Sequence, residues 1–219
     1  MEFRDVVRRR RMVRSYTDEP VDPDALERIL AAGLRAPSAG FTQGWGFLVL
    51  DTPEQTAKFW DTTFPDGEAR ANFAWPGLFA APVIVVPFSN RDAYLDRYAE
   101  ADKGWVDRDE DRWPVPYWHI DTGFAAMAML LAVVDEDLGA LFFGVFGPHV
   151  PALRAAFGVP EEFTPVGAIT IGHPAPDRPS PSLKRGHRPH HDVVHRGRWS
   201  SVAGRSSAPE QDGRPSAER

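Results

Sequence analysis

The sequence predicts one domain mixing helices and strands, α+β or α/β, and three observations support this. Segments with apolar residues at helical spacing alternate along the chain with short β-branched and aromatic runs, without an internal repeat. Hydrophobic residues fill 42% of 219 positions, enough for one ample core. There is no Gly-x-Gly-x-x-Gly after a strand and no phosphate-loop signature, so a Rossmann or ATPase reading has no support.

The elements follow in order. Residues 2–11 read as a helix, with Phe3, Val6 and Val7 on one face. Asp22 reads as an N-cap with Pro23 at the first helical position, and that helix runs through Leu26, Ile29, Leu30 and Leu34. It stops before Pro37, because the residue preceding a proline resists helical dihedrals. Residues 45–50 read as a strand and 53–61 as a short helix. Residues 62–81 set Phe64, Phe73, Trp75 and Phe79 among Pro65, Gly67, Pro76 and Gly77. Such a stretch is either a lid or a loop whose aromatics dock on the core. Residues 83–88 read as a buried strand that Pro87 pushes towards an edge or an early end. A helix near 91–100 precedes a polar, acidic loop.

In that loop Asp107, Asp109 and Asp111 alternate like the start of a calcium site. Arg112 and Trp118 stand where that motif needs Gly and Glu, so the loop reads as solvated. Residues 119–134 are the most apolar helix, with Phe124, Met127, Leu130, Leu131 and Val134 on one stripe. Its small residues suit close helix packing within the chain or across a dimer. Residues 140–146 read as a strand in which Gly144 marks a bulge or a ligand pressed on the backbone. A short helix from Pro148 to Phe157 and a strand over 166–171 complete the domain. A proline-rich connector over 174–181 follows. The domain is expected over 1–199, and the Ser/Pro/Gly/Arg-rich stretch 200–219 is expected to be disordered.

Charge is unevenly distributed. Residues 1–16 balance at +4 and 178–198 at +5, whereas 17–177 balance at −15, for a net −6. An acidic body argues against nucleic-acid binding, which needs a broadly basic surface. Two basic ends suggest instead one local anion site, if they meet. There is no run of 18 uncharged apolar residues and no apolar leader, so neither a membrane span nor a signal peptide is expected. The chain has no cysteine, which excludes disulfides, thiolate metal sites and cysteine nucleophiles and makes a cytoplasmic setting the default. His187, His190, His191 and His195 cluster without metal-ligand spacing and read as surface histidines, with no metal site.

Two stretches carry candidate chemistry. Arg8, Arg9, Arg10, Arg11 and Arg14 fall within seven positions, interrupted by Met12 and Val13 and closed by Tyr16. The apolar residues suit a packed segment with some arginines facing a bound phosphate or carboxylate, which the guanidinium fork grips bidentately. Read alone, the stretch also fits a charged helix end. The second, Ala36-Pro37-Ser38-Ala39-Gly40-Phe41-Thr42-Gln43-Gly44-Trp45, joins a helix to a strand. It offers small residues, a hydroxyl and an amide to a flat ligand, and is equally an ordinary glycine turn.

Together, Arg10 to Tyr16, Ala36-Pro37-Ser38 through Gln43 and Trp45, the Gly139-to-Gly144 strand, and Lys184-Arg185 resemble the flavin-dependent nitroreductase family, over roughly residues 3–198. The resemblance implies an α+β fold, a mixed sheet flanked by helices, built as an intertwined homodimer with FMN at each subunit interface. It implies that Arg10, Arg11, Met12 and Arg14, with Lys184 and Arg185, hold the FMN phosphate and ribityl chain. Pro37, Ser38, Ala39 and Gly40, with Gln43 nearby, would line the flavin from the partner, and Phe143 and Gly144 would lie against the ring.

It further implies NAD(P)H as donor, a flat acceptor such as a nitroaromatic or quinone, a ping-pong cycle, and no catalytic side chain, since the flavin carries the hydride. The family often has Ser where Met12 stands, Asn where Phe41 stands and Pro where Gly44 stands. Phe41 is the candidate substrate contact. Alternatives are a deazaflavin-dependent reductase, a flavin-destroying benzimidazole synthase on the same fold, or a protein that sequesters flavin without turnover.

Overall fold

The computed structural model describes residues 1–199, and the segment expected to be disordered, 200–219, lies outside the described residues. The chain divides into two compact units, residues 1–177 and residues from 178 onward. The first holds α1 (Phe3–Arg9), α2 (Pro23–Leu34), β1 (Trp45–Leu50), α3 (Pro53–Thr63), α4 (Gly67–Ala71), β2 (Val83–Asn90), α5 (Arg91–Ala99), α6 (Tyr117–Asp135), β3 (Gly139–Phe143), α7 (Val150–Phe157), β4 (Phe163–Pro165) and β5 (Ala168–Gly172). In the second, a 3-10 turn, Pro181–Arg185, precedes α8 (His190–Val193), and His195 stacks on Trp199.

The five strands form one antiparallel sheet in the order β1-β2-β5-β3, with β4 also pairing β2. Alternate residues of β2 feed two cores, as the two-residue period of a strand requires. Val83 and Val85 join Ile169, Ile171, Ile29, Met129 and Val133 beneath α2 and α6. Ile84, Val86 and Phe88 join Phe59, Trp60, Leu153 and Leu141 beneath α3 and α7. Helices therefore cover both faces of the sheet.

Several elements match their local signals. Asp22 caps α2 by accepting the Asp24 N–H, with Pro23 in the first turn. Thr52 and Gln55 form a reciprocal capping box at the start of α3. The strand at 45–50 and the helix at 91–99 lie where their patterns place them.

Other elements depart from expectation. Pro87 lies inside the most central strand. The Asn90 N–H donates to the Gly44 carbonyl across β1, so hydrogen bonding on that side falls at even positions of β2. The proline nitrogen therefore faces the other neighbour, between the stretch pairing β5 (83–85) and the stretch pairing β4 (88–90). The missing N–H falls where the ladder already forks. Strand β3 stops at Phe143, so Gly144 lies beyond it, exposed, rather than in a bulge. The stretch 62–81 is not a bare loop. It contains α4 and a 3-10 turn, Pro76–Ala80, and its aromatics pack on one another and on Trp60.

At 19 residues and mean hydropathy 1.4, α6 is long and apolar enough for a membrane span, yet it buries Asp121 and Thr122 and packs on α2 and β2. Its expected stripe is split. Leu130 and Val134 are buried beside Ala125, Ala126, Met129 and Val133, while Phe124 and Met127 are exposed. The small residue at the α2 contact is supplied by α2 itself, with Gly33 against Met129 of α6.

At the start of α6, His119 Nδ1 lies 2.8 Å from the Ser89 hydroxyl, and burial holds the imidazole pKa below its ordinary value. The unfolded chain takes up this proton near pH 6.5 while the fold resists it. His119 therefore supports the fold fully above that pH, and its contribution falls as pH drops through the folded value. Urea midpoints measured from pH 7.5 to 5.5 should decline more steeply for the wild type than for His119→Gln; parallel curves would remove His119 as the cause.

Candidate functional site

The arginine segment leaves α1 and runs along the outer edge of the sheet. Arg8 and Arg9 are neutralised, by Asp5 at 2.8 Å and by Asp137 at 2.7 Å. Arg10 leaves the helix, its N–H still bound to the Val6 carbonyl. Met12 then bridges Ala140 in parallel, and the Val13 N–H donates to the Ala140 carbonyl at 2.8 Å. Val13 is buried, and the Met12 thioether lies 3.5 Å from the Phe142 N–H. These apolar contacts are why Met12 and Val13 interrupt the arginines: they pin the segment to β3. The Tyr16 hydroxyl closes the turn, within reach of the Val13 carbonyl and Thr170 Oγ1, and burial raises its pKa well above the usual phenol.

Arg10 and Arg11 line a cavity of about 290 Å³ with Leu130, Leu138, Gly139 and Pro174. Asp137 also lines it, held by Arg9. Among the described residues Arg10, Arg11 and Arg14 have no carboxylate ion pair, and Arg10 Nη1 is buried without a hydrogen-bond partner. The Arg14 guanidinium sits over Trp75, 5.3 Å from the ring centroid, and its backbone N–H donates to Asp177 at 2.9 Å.

The second predicted stretch is anchored elsewhere. Asp121, 3% exposed, accepts the Ala39 N–H at 2.7 Å and the Tyr94 hydroxyl at 2.8 Å through one carboxylate oxygen. Arg97 donates to the Gly40 carbonyl at 3.0 Å and is itself held by Asp102. The Ser38 hydroxyl accepts the Gln43 N–H at 2.9 Å, and Pro37 is exposed ahead of it. Gly40, Phe41 and Gln43 all have left-handed backbones, with φ of 62°, 55° and 53°. For Phe41 and Gln43 that conformation is strained. Phe41 is 77% exposed.

Asp121 contacts this loop, while Val134, 13 residues later in α6, lines the arginine cavity. At the helical rise that is about 20 Å. The two predicted stretches thus sit towards opposite ends of one helix.

Phe143 stacks on Trp60 at 5.7 Å, and both line a further cavity together with Gly144. Lys184 and Arg185 lie in the 3-10 turn of the second unit, both exposed. The Asp107 carboxylate is taken up by the Asp109 N–H and by Arg112, and the Asp109 carboxylate by the Asp111 N–H. No group of three potential metal ligands occurs among the described residues.

Asp121, Tyr94 and Arg97 were not apparent from the sequence as parts of the site. The available signal was a lone carboxylate in the most apolar helix, which folding tolerates only with partners.

The sheet lies between two helical layers, and Arg10 and Arg11 line a cavity at its β3 edge. The family model described as "Nitroreductase family" matches residues 7–173. The chain belongs to that family, and is an oxidoreductase by that membership. It is 28% identical over 192 residues to a protein of Archaeoglobus fulgidus provisionally named NADH dehydrogenase/NAD(P)H nitroreductase, covering 87% of this chain and 94% of that one. It is 27% identical over 186 residues to an NADH dehydrogenase of Thermus thermophilus, covering 76% and 84%. A solved structure from Desulfovibrio desulfuricans, provisionally named a nitroreductase and in complex with FMN, superposes with a TM-score of 0.66 at 26% identity, covering 91% and 99%.

Proposed function

We propose that the protein is a cytoplasmic, homodimeric, FMN-dependent NAD(P)H oxidoreductase that reduces flat aromatic acceptors such as nitroaromatics or quinones. One observation carries this reading. In a chain of net charge −6, Arg10 and Arg11 line a cavity without carboxylate partners among the described residues, and a buried Arg10 N–H has no hydrogen-bond partner among them. Burying such a donor is costly unless an anion meets it. The donor set fits a phosphate ester.

Arg10, Arg11, Met12 and Arg14, with Lys184 and Arg185, would hold the phosphate and ribityl chain. Phe143 and the exposed Gly144 would lie against the ring. Pro37, Ser38, Ala39, Gly40 and Gln43 would come from the second copy, with Phe41 towards the substrate. The spacing of roughly 20 Å along α6 supports that division, because one copy does not close both stretches on one ring. The exposed Phe3, Val7, Phe124 and Met127 supply apolar surface for a dimer.

When bound, FMN would supply hydride acceptance from the nicotinamide and its return to the acceptor. The chain's own part is to bind, orient and exclude water. Cationic and N–H donors near the ring would favour its reduced, anionic form, and no side chain is required to move a proton.

The test is the visible spectrum of the purified protein, followed anaerobically on adding NADH or NADPH. A flavin spectrum that bleaches and returns with a quinone or nitroaromatic is expected. A bound flavin that neither nicotinamide bleaches would point to sequestration or a deazaflavin donor. Protein that stays colourless in excess FMN would overturn the reading.

A further inference from the structure

Phe41 holds a strained backbone at an exposed position. Its φ is 55° and its ring is 77% exposed. A bulky residue stays in the left-handed region only where its surroundings over-determine it.

The constraint falls on one peptide plane. The Gly40 carbonyl and the Phe41 N–H belong to the same planar unit, so contacts that hold both hold φ at Phe41. The Phe41 N–H donates to the Ser38 carbonyl at 2.9 Å. On the opposite side, the Gly40 carbonyl accepts the Arg97 Nε–H at 3.0 Å. Rotating this plane by half a turn would relieve Phe41 to a negative φ. It would carry Gly40, at φ 62° and ψ 15°, into a region open to glycine alone. Residue 40 is glycine, so the chain has a relaxed alternative, and these two hydrogen bonds weigh against it.

Arg97 is fixed for that contact. Its two Nη atoms donate to both Asp102 oxygens, at 2.7 and 2.8 Å, which turns the guanidinium so that Nε faces the loop. Nη1 also reaches Glu100 at 3.3 Å. The next residue of α5, Tyr98, closes the same side, where a Cβ at position 40 would lie 2.8 Å from its ring. One turn earlier Tyr94 meets Gly44 in the same way, at 2.6 Å. Asp121, by contrast, holds the Ala39 N–H, two peptides before the plane in question.

We infer that Arg97 is a positioning residue, which through the Gly40 carbonyl pins the Gly40–Phe41 peptide and so fixes where the Phe41 ring is presented. The inference rests on the reading above, in which Phe41 faces the substrate, and adds the group that fixes it there. Arg97 acts through the loop and Asp102 acts through Arg97.

Two measurements on the flavin-loaded protein test it. The first is a thermal cycle that needs no turnover. Phe41→Gly removes the left-handed strain, and its effect on the unfolded chain is the same in any background. The Tm change on Phe41→Gly should be more positive in the wild type than in Arg97→Ala, by about two to four degrees. The second is the kinetics of 1,4-benzoquinone reduction at saturating NADH or NADPH. Arg97→Ala should raise the quinone KM about three- to tenfold, the worth of one hydrogen bond, with a smaller change in kcat. In a Phe41→Ala background it should raise KM no further. Asp102→Ala should act in the same direction and serves if Arg97→Ala folds poorly. Equal Tm changes in the two backgrounds overturn the inference, as does a quinone KM unmoved by both variants or moved equally without Phe41. A wild type whose flavin neither nicotinamide reduces sinks the redox reading instead, and the thermal cycle then decides the role of Arg97 by itself.

Discussion

Replacing Arg10 with alanine should weaken FMN binding about ten- to hundredfold, measured by quenching of flavin fluorescence on titration with apoprotein. A charge-assisted hydrogen bond is worth about 1.5–3 kcal/mol, and each 1.4 kcal/mol is tenfold. Arg10 is the strongest case because it has a buried nitrogen without a partner and no competing carboxylate. Arg8 and Arg9 are the controls within the same run: each already has its acid, so Arg8→Ala should leave FMN affinity nearly unchanged. Arg10→Lys should recover only part of the loss, since an ammonium lacks the fork that grips two phosphate oxygens. Lys184→Ala tests the other basic end and should act in the same direction. If Arg10→Ala and Lys184→Ala both bind FMN as the wild type does, the two basic ends do not share a phosphate.

The second large effect belongs to Asp121. Its carboxylate holds a backbone N–H of the 36–44 stretch and the Tyr94 hydroxyl, and burial together with Asp121 drives the Tyr94 pKa well above the usual phenol. Asp121→Ala leaves the buried Tyr94 hydroxyl and the part-buried Ala39 N–H unmet, at about 1–3 kcal/mol each. For a chain of this size that corresponds to a fall in Tm of roughly 5–15 °C by calorimetry. Asp121→Asn keeps the shape and one acceptor oxygen and should lose less. Tyr94→Phe removes one of the two donors together with its need and should lose least. A Tm for Asp121→Ala within about two degrees of the wild type would show that the loop holds itself.

Much of this architecture is legible in the sequence wherever the cause is local. Asp22 and Pro23 announce α2 because capping is decided within a few residues, and 45–50 announces β1 because a strand's apolar run is contiguous. The arginine segment was legible as a unit because Met12 and Val13 have no purpose in a solvated tail. What stayed hidden depends on neighbours distant in sequence. Pro87 reads as an edge residue until the fork between β4 and β5 is known. Strand β4, three residues long, has too little pattern to separate from a loop. The buried face of α6 is set by its contact with α2, which turns Met129 inward onto Gly33 and leaves Phe124 and Met127 exposed. Asp121 hides because its value lies in Ala39 and Tyr94, far along the chain.

The left-handed backbone at Phe41 has an evolutionary consequence. Glycine or asparagine would sit there with less strain, by roughly 1 kcal/mol, and an exposed phenyl ring contributes little to the core. Variants that accumulate better in the cell and variants that keep the ring therefore lie in opposite directions at this position. A lineage selected only for folding should drift towards asparagine or glycine here, so an aromatic residue retained in its place would mark selection on chemistry at the loop surface.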